Sequence, residues 1–253
     1  PLGFFARRFA NKHDLNYTTA IHTKFPEYLN KMIFLPAALT YKYLRWFHKN
    51  STAVLVITNS QIKELKSNKF KNLKLWSRAI DKLIFYPREK KCADNYLLYV
   101  GRVSREKNLE AFLNLPTHES KVVVGSGPML DEYKIKYKDI TFVGPKFGNE
   151  LAQFYSDASV FVFPSMTDTY GIVMIEAMAC GTPVAAFPVT GPIDVIEPNL
   201  NGSVNEDLER AVSRAKVISS QSCIDSVKNL SWDSVQSHRV APSAPAHTTT
   251  TPG

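Results

Sequence analysis

Between Tyr96 and Phe187 the chain repeats one pattern five times: a short apolar run, a glycine or proline, then a segment of helical period. The runs are Tyr96–Val100, Lys121–Val124, Ile140–Val143, Ser159–Phe163 and Pro183–Phe187. The helical segments between and after them are Leu109–Leu115, Met129–Tyr137, Asn149–Asp157, Gly171–Ala179 and Asp207–Ala215. A run such as Val160-Phe161-Val162-Phe163 is apolar on both faces, which suits a parallel strand covered by helices on each side. Strand–helix alternation at this spacing requires right-handed crossovers, so the expected class is α/β with a doubly wound, Rossmann-like sheet.

The residues just after each run locate the working edge of that sheet. Gly101-Arg102 comes after the first, Gly125-Ser126-Gly127-Pro128 after the second, Gly144-Pro145 after the third, Pro164-Ser165 after the fourth and Pro188 through Pro192 after the fifth. Open α/β sheets bind ligands at the carboxyl ends of their strands. Glycine there lets backbone N–H groups approach a ligand, and the helix starts beyond it favour an anion. Tight turns need the same residues for purely structural reasons, so the pattern alone leaves both readings open.

The first 91 residues read differently. Tyr17–Ile21 and Ala53–Thr58 resemble strands, and Leu39–Phe47 and Gln61–Lys66 helices, which is an incomplete sheet for a second Rossmann-like domain. The chain opens on Pro1-Leu2-Gly3-Phe4-Phe5, read as a loop entering a helix, and its beginning is expected to be missing. Three segments are therefore expected: a partial N-terminal domain over 1–91, a complete Rossmann-like domain over 92–230, and a low-complexity tail over 231–253.

Charge divides the chain at the same place. Residues 1–91 hold 18 Lys/Arg against 5 Asp/Glu, and residues 92–253 hold 13 against 18. A basic half of this kind points to an anionic partner: a phosphorylated ligand, lipid headgroups or nucleic acid. No basic motif interleaved with aromatic residues supports nucleic acid. Apolar residues at 44% and charged residues at 21% exclude a disordered or collagenous chain, and no apolar stretch has the length of a spanning helix. Cys92, Cys180 and Cys223 show no ligand spacing and are expected as free thiols in a reducing cytosol.

Four residues stand out chemically. Arg102 and Lys107 lie between a strand and a helix, where two cations suit a diphosphate. Asp168 comes after the fourth strand, and Glu176 sits in a helix that is otherwise apolar, so its carboxylate must find a donor or face a cleft. His22, at the end of a strand in the basic half, carries less information on its own.

These residues also carry a resemblance. Gly101–Asn108, Val124–Pro128 and the block from Phe163-Pro164-Ser165 through Asp168, Glu176-Ala177-Met178-Ala179-Cys180-Gly181-Thr182-Pro183-Val184 resemble the nucleotide-sugar domain of family-4 retaining glycosyltransferases. That family has the GT-B architecture, two Rossmann-like domains facing each other across a cleft. Tyr17–Tyr28 and Trp76-Ser77-Arg78-Ala79-Ile80-Asp81 are similar to its bacterial lipid-directed, mannosyltransferase-like branch.

The resemblance implies that Arg102 and Lys107 neutralise the leaving diphosphate, that Asp168 contacts the transferred sugar, and that Glu176 holds the ribose. It implies that His22 reaches the sugar from the other domain, that Gly101 and Gly125 lie beside the nucleotide, and that the backbone at Tyr170, Gly171 and Ile172 approaches sugar and phosphate. It further implies a nucleotide-sugar donor such as GDP-mannose, a lipid-linked or glycan acceptor, no metal or other cofactor, and a cytoplasmic protein peripheral to the inner face of an anionic membrane. Three departures stand against it. Asp168 replaces the more usual Glu, Ala79 replaces a glycine, and the family's first strands and their glycine loop have no counterpart, with similarity fading after Trp232. An inactive nucleotide-sugar-binding fragment and a nucleotide-sugar 2-epimerase are the alternatives.

Overall fold

The computed structural model describes residues 2–22, 26, 34, 36–76, 79–92, 94–168 and 170–230. The expected tail over 231–253, and parts of the similar segments over 17–28 and 76–81, lie outside them.

The N-terminal unit begins with helix α1 (Leu2–Lys12), so the helix starts at the second residue rather than after a loop. It continues through strand β1 (Thr18–Ile21), helix α2 (Ala37–His48), strand β2 (Ala53–Val56), helix α3 (Asn59–Ser67) and strand β3 (Leu73–Leu75). The three strands are parallel in the order β1-β2-β3, with Ala20 opposite Leu55 and Leu55 opposite Lys74. Its core is small: Ile21, Tyr41, Val54, Val56, Leu65 and Phe70. Thr58 stops β2 and caps α3, its hydroxyl accepting from the Gln61 N–H at 3.1 Å.

The C-terminal unit alternates strictly. Strands β4 (Tyr96–Val100), β5 (Ser120–Val124), β6 (Thr141–Gly144), β7 (Val160–Phe163), β8 (Val184–Ala186) and β9 (Gly202–Val204) form one parallel sheet, ordered β6-β5-β4-β7-β8-β9. Helices α4 (Leu109–Leu113), α5 (Leu130–Lys136), α6 (Gly148–Asp157), α7 (Ile172–Ala179), α8 (Pro192–Val195), α9 (Leu208–Ala215) and α10 (Ser220–Val227) connect and cover it.

Because side chains alternate along a strand, neighbours such as Leu97 and Leu98 feed opposite cores. One core joins Leu98, Phe161, Met174, Ile175 and Met178 beneath α6, α7 and α10. The other joins Leu97, Phe112, Val160, Val162 and Leu208 beneath α4, α5 and α9. Truncating a buried ring such as Phe161 or Phe112 to alanine costs about 3–5 kcal/mol in sites of this kind.

All five strands and five helices expected in this half are present, with ends displaced. The sequence reading missed β9, α8 and α10, and in the first half β3. Residues 79–92 cross from one unit to the other and lie along the second: the Ile80 N–H donates to the Leu230 carbonyl at 2.9 Å and the Lys91 N–H to Asp157 at 2.7 Å.

The chain builds the second sheet outward from β4 through β5 to β6, then returns to place β7 on the other side of β4. The loops leaving β4 and β7 therefore diverge, opening a crevice at the carboxyl ends of two adjacent strands.

Candidate active site

The loop after β4 is short and ordered by its own bonds. The Tyr99 hydroxyl donates to the Arg102 carbonyl at 2.9 Å, and the chain then turns through one 3-10 step at Arg105–Lys107. Asn108 has φ 51, a left-handed conformation that asparagine tolerates. Its amide crosses the crevice and donates to the Pro164 carbonyl in the loop after β7, at 3.1 Å. The Thr167 hydroxyl returns the connection, donating to the Glu106 carbonyl at 3.3 Å. The two loops are thus tied into one wall.

A third tie is ionic. Lys107 Nζ lies 2.5 Å from Asp168 Oδ1, each side chain about a quarter exposed. The lysine is therefore already aimed into the crevice with its charge balanced. Arg102 is exposed on the same wall. The Glu106 carboxyl is held below its usual range by the Ser104 hydroxyl and its own amide, with help from Arg102 and Lys107.

Between these loops is a cavity of about 480 Å³, lined by Tyr99, Gly101, Arg102, Lys107, Asp168 and Gly171, with Glu106, Phe163, Ser165 and Ile172 among the rest. That volume suits a small-molecule site. Gly171 is the N-cap of α7, at φ 65, and brings no side chain to cap it, so the first N–H groups of α7 open toward the cavity. A methyl at Gly171 would meet the Phe163 ring at 2.9 Å. Gly125, expected beside the nucleotide, is not among the lining residues; it is more constrained still, for a Cβ there would sit 1.9 Å from the Gly101 carbonyl oxygen.

Glu176 does not line the cavity. It lies three and four residues beyond Val173 and Ile172, which do, and so shares their helix face. Its carboxylate is half-buried and accepts a hydrogen bond from the Tyr155 hydroxyl at 3.0 Å. Burial raises the Glu176 pKa, and the Tyr155 bond opposes that rise.

Two candidates fall elsewhere. Tyr170 lines a second hollow of about 220 Å³ between the two units, with Thr58, Asn59, Asp194 and Glu197. His22 follows β1 directly in the N-terminal unit, its ring 6.1 Å from that of Trp76, and is not among the residues lining either hollow. The units meet beside the second hollow, where Asp194 accepts from both the backbone N–H of Ser60, at 3.2 Å, and its hydroxyl. Among the described residues no three His, Cys, Asp or Glu side chains come together as a metal site, and no helix is long and apolar enough to cross a membrane. All three cysteines are free, and burial pushes Cys180 and Cys223 up to about 12.

Comparison with known proteins bears directly on this half. Residues 94–218 match the family described as Glycosyl transferases group 1. This segment is similar to that family over just under half of the chain. The chain is 25% identical over 228 residues to the sulfoquinovosyl transferase SQD2 of Arabidopsis thaliana, covering 81% of this chain and 44% of that protein. It is 27% identical over 178 residues to a GDP-mannose-dependent alpha-mannosyltransferase of Corynebacterium glutamicum, covering 66% and 43%. The chain thus spans less than half the length of these curated relatives.

Among solved structures, sucrose-phosphate synthase from Thermosynechococcus elongatus superposes with a TM-score of 0.78 at 23% identity, over 92% of this chain and 68% of that one. Anabaena HepE in complex with UDP superposes with a TM-score of 0.75 at 14% identity, over 92% and 73%. The architecture is GT-B, two Rossmann-like sets of parallel strands.

Within residues 94–218, sequence reasoning passed over Tyr99, Glu106, Asn108 and Tyr155. Asn108 had a signal, an asparagine between a charged turn and an apolar helix. Tyr155 had none, because an aromatic residue on a helix reads as core.

Proposed function

We propose that this chain transfers a hexose from a nucleotide-sugar donor, with retention, to a lipid-linked or glycan acceptor. The observation that carries the reading is the shared cavity at the β4/β7 crevice, where Arg102, Lys107, Asp168 and the open start of α7 converge. The donor diphosphate takes the place of one carboxylate as the partner of Lys107, with Arg102 beside it. Asp168, released from that pair, accepts hydroxyls of the sugar, and Glu176 accepts those of the ribose.

As the anomeric C–O bond breaks, its electron pair leaves on the diphosphate, and the two cations and the helix start stabilise that charge. The acceptor hydroxyl forms its bond on the same face, and its proton passes to the released phosphate oxygen. The charge supplied by Arg102 and Lys107 serves without a metal. His22 approaches the sugar from the N-terminal unit when the cleft is occupied.

GDP-mannose is the donor to try first, since a relative of this chain is named for it. UDP-sugars come next, because a superposing structure holds UDP. The membrane face of a cell's cytoplasm is the proposed place of work. The basic N-terminal half supports it, each Lys or Arg near an anionic leaflet contributing about 1 kcal/mol. Leu2, Phe5 and Phe9 stand exposed on α1 next to Arg8.

The test is release of nucleoside diphosphate from GDP-mannose, UDP-glucose and UDP-galactose, with and without a polyprenyl-phosphate or lipid-extract acceptor. Acceptor-dependent release that Lys107→Ala abolishes supports transfer. Binding without turnover contradicts it, and conversion of the donor sugar without acceptor identifies an epimerase.

A further inference from the structure

We propose that Tyr155 is a positioning residue for nucleotide recognition: its buried phenol holds the Glu176 carboxylate so that the remaining oxygen serves the ribose. This deepens the reading of Glu176 given above and rests on it.

Tyr155 is wholly buried, on α6, and packing fixes its ring. Phe85 meets it edge-on at 6.2 Å and Phe161 at 5.6 Å, while its carbonyl accepts from the Thr182 hydroxyl. A ring so enclosed by phenylalanines gains nothing from a hydroxyl unless the hydroxyl has a partner, and that partner is Glu176 Oε2. Glu176 in turn sits in a helix whose residues Met174, Ile175, Ala177, Met178 and Ala179 are all buried. A carboxylate there offers about four acceptor sites. Tyr155 is the donor that reaches it among the described residues, and it engages one oxygen. The arrangement matches a vicinal diol, which brings two donors to the other side of the carboxylate.

The phenol also acts on charge. Burial favours the protonated carboxyl, and the Tyr155 bond favours the ionised one. Protonation removes the acceptor a diol needs, so nucleotide affinity falls as pH drops through the raised Glu176 pKa. Without the phenol that loss begins at a higher pH.

Calorimetric titration of the intact chain with GDP and UDP, from about pH 5 to about pH 8, tests this. Tyr155→Phe keeps the ring. It is expected to weaken the nucleotide about tenfold, to shift the acid limb of binding to higher pH, and to lower the Tm by a few degrees for the lost buried hydrogen bond. In the Glu176→Gln background the same change should no longer move the acid limb, because the group the phenol positions no longer titrates. Wild-type affinity with an unmoved acid limb in Tyr155→Phe overturns the proposal, as does an acid-limb shift of equal size in both backgrounds. Glu176→Gln binding as tightly as wild type overturns instead the underlying assignment of Glu176.

Discussion

The two units are built from the same parts to different depths. The C-terminal sheet has six strands, a buried core on each face, and helices packed against both. The N-terminal sheet has three described strands and a single core of six buried residues, beside exposed Phe5, Phe9, Tyr43 and Trp46. The deeper unit has the packing to hold side chains at fixed separations, and it is the one in which Lys107, Asp168 and Asn108 are bonded across a crevice. The shallower unit carries the excess of positive charge. Deep packing and the excess of positive charge are thus separated along the chain.

The largest expected effect lies in the cavity. Lys107→Ala and Arg102→Ala each remove a cation lining the cavity where the proposed function puts the leaving diphosphate, and each should lower kcat by about 10²–10³. Far-UV circular dichroism should stay unchanged, because neither side chain is buried. Equal losses from Lys63→Ala and Lys66→Ala, on helix α3 of the other unit, would erase the contrast between the units.

A smaller effect separates them by stability. Gly125→Ala drives a methyl against the Gly101 carbonyl at a positive φ of 141, and about 2–4 kcal/mol of stability should go, read by urea denaturation. Gly3→Ala, inside α1, meets only Phe47 at 3.6 Å and should stabilise by about 0.5–1 kcal/mol. If both substitutions were neutral, the glycines after the strands would be ordinary turn residues.

Much of this contrast was legible in the sequence. Val160-Phe161-Val162-Phe163 announces a strand covered on both faces, and Gly101, Gly125 and Gly171 mark turns that other residues fit poorly. What escaped has physical reasons. Gly202-Ser203-Val204 reads as a turn, and becomes β9 because β8 and α9 supply its partners. Leu73-Lys74-Leu75 is too short to outweigh the lysines around it until β2 pairs with it. The Lys107–Asp168 pair joins residues far apart in sequence, and no local pattern encodes which carboxylate a lysine meets. The strand-and-turn pattern puts Arg102, Lys107, Asp168 and Gly171 at one sheet edge, and the structure places them around one cavity. Gly125, Glu176, Tyr170 and His22 fall outside that lining, since strand order, helix phase and unit placement decide where they lie.

The smallest predicted effect tests the seam. Ser60→Ala removes the hydroxyl that Asp194 accepts while leaving the backbone N–H at the start of α3. A loss of about 1 kcal/mol is expected, visible as a rise in acceptor KM with little change in kcat or in donor affinity. A donor affinity lowered as much as the acceptor term would mean that the units do not divide the work.

Hydrogen exchange in the presence and absence of saturating GDP or UDP addresses the central claim most directly. The crevice between β4 and β7 predicts new protection at residues 101–108 and 170–176, with β1, β2 and the hollow around Lys121, Lys136 and Lys138 unchanged. Protection confined to that lysine-lined hollow, or absent from both loops, would contradict it.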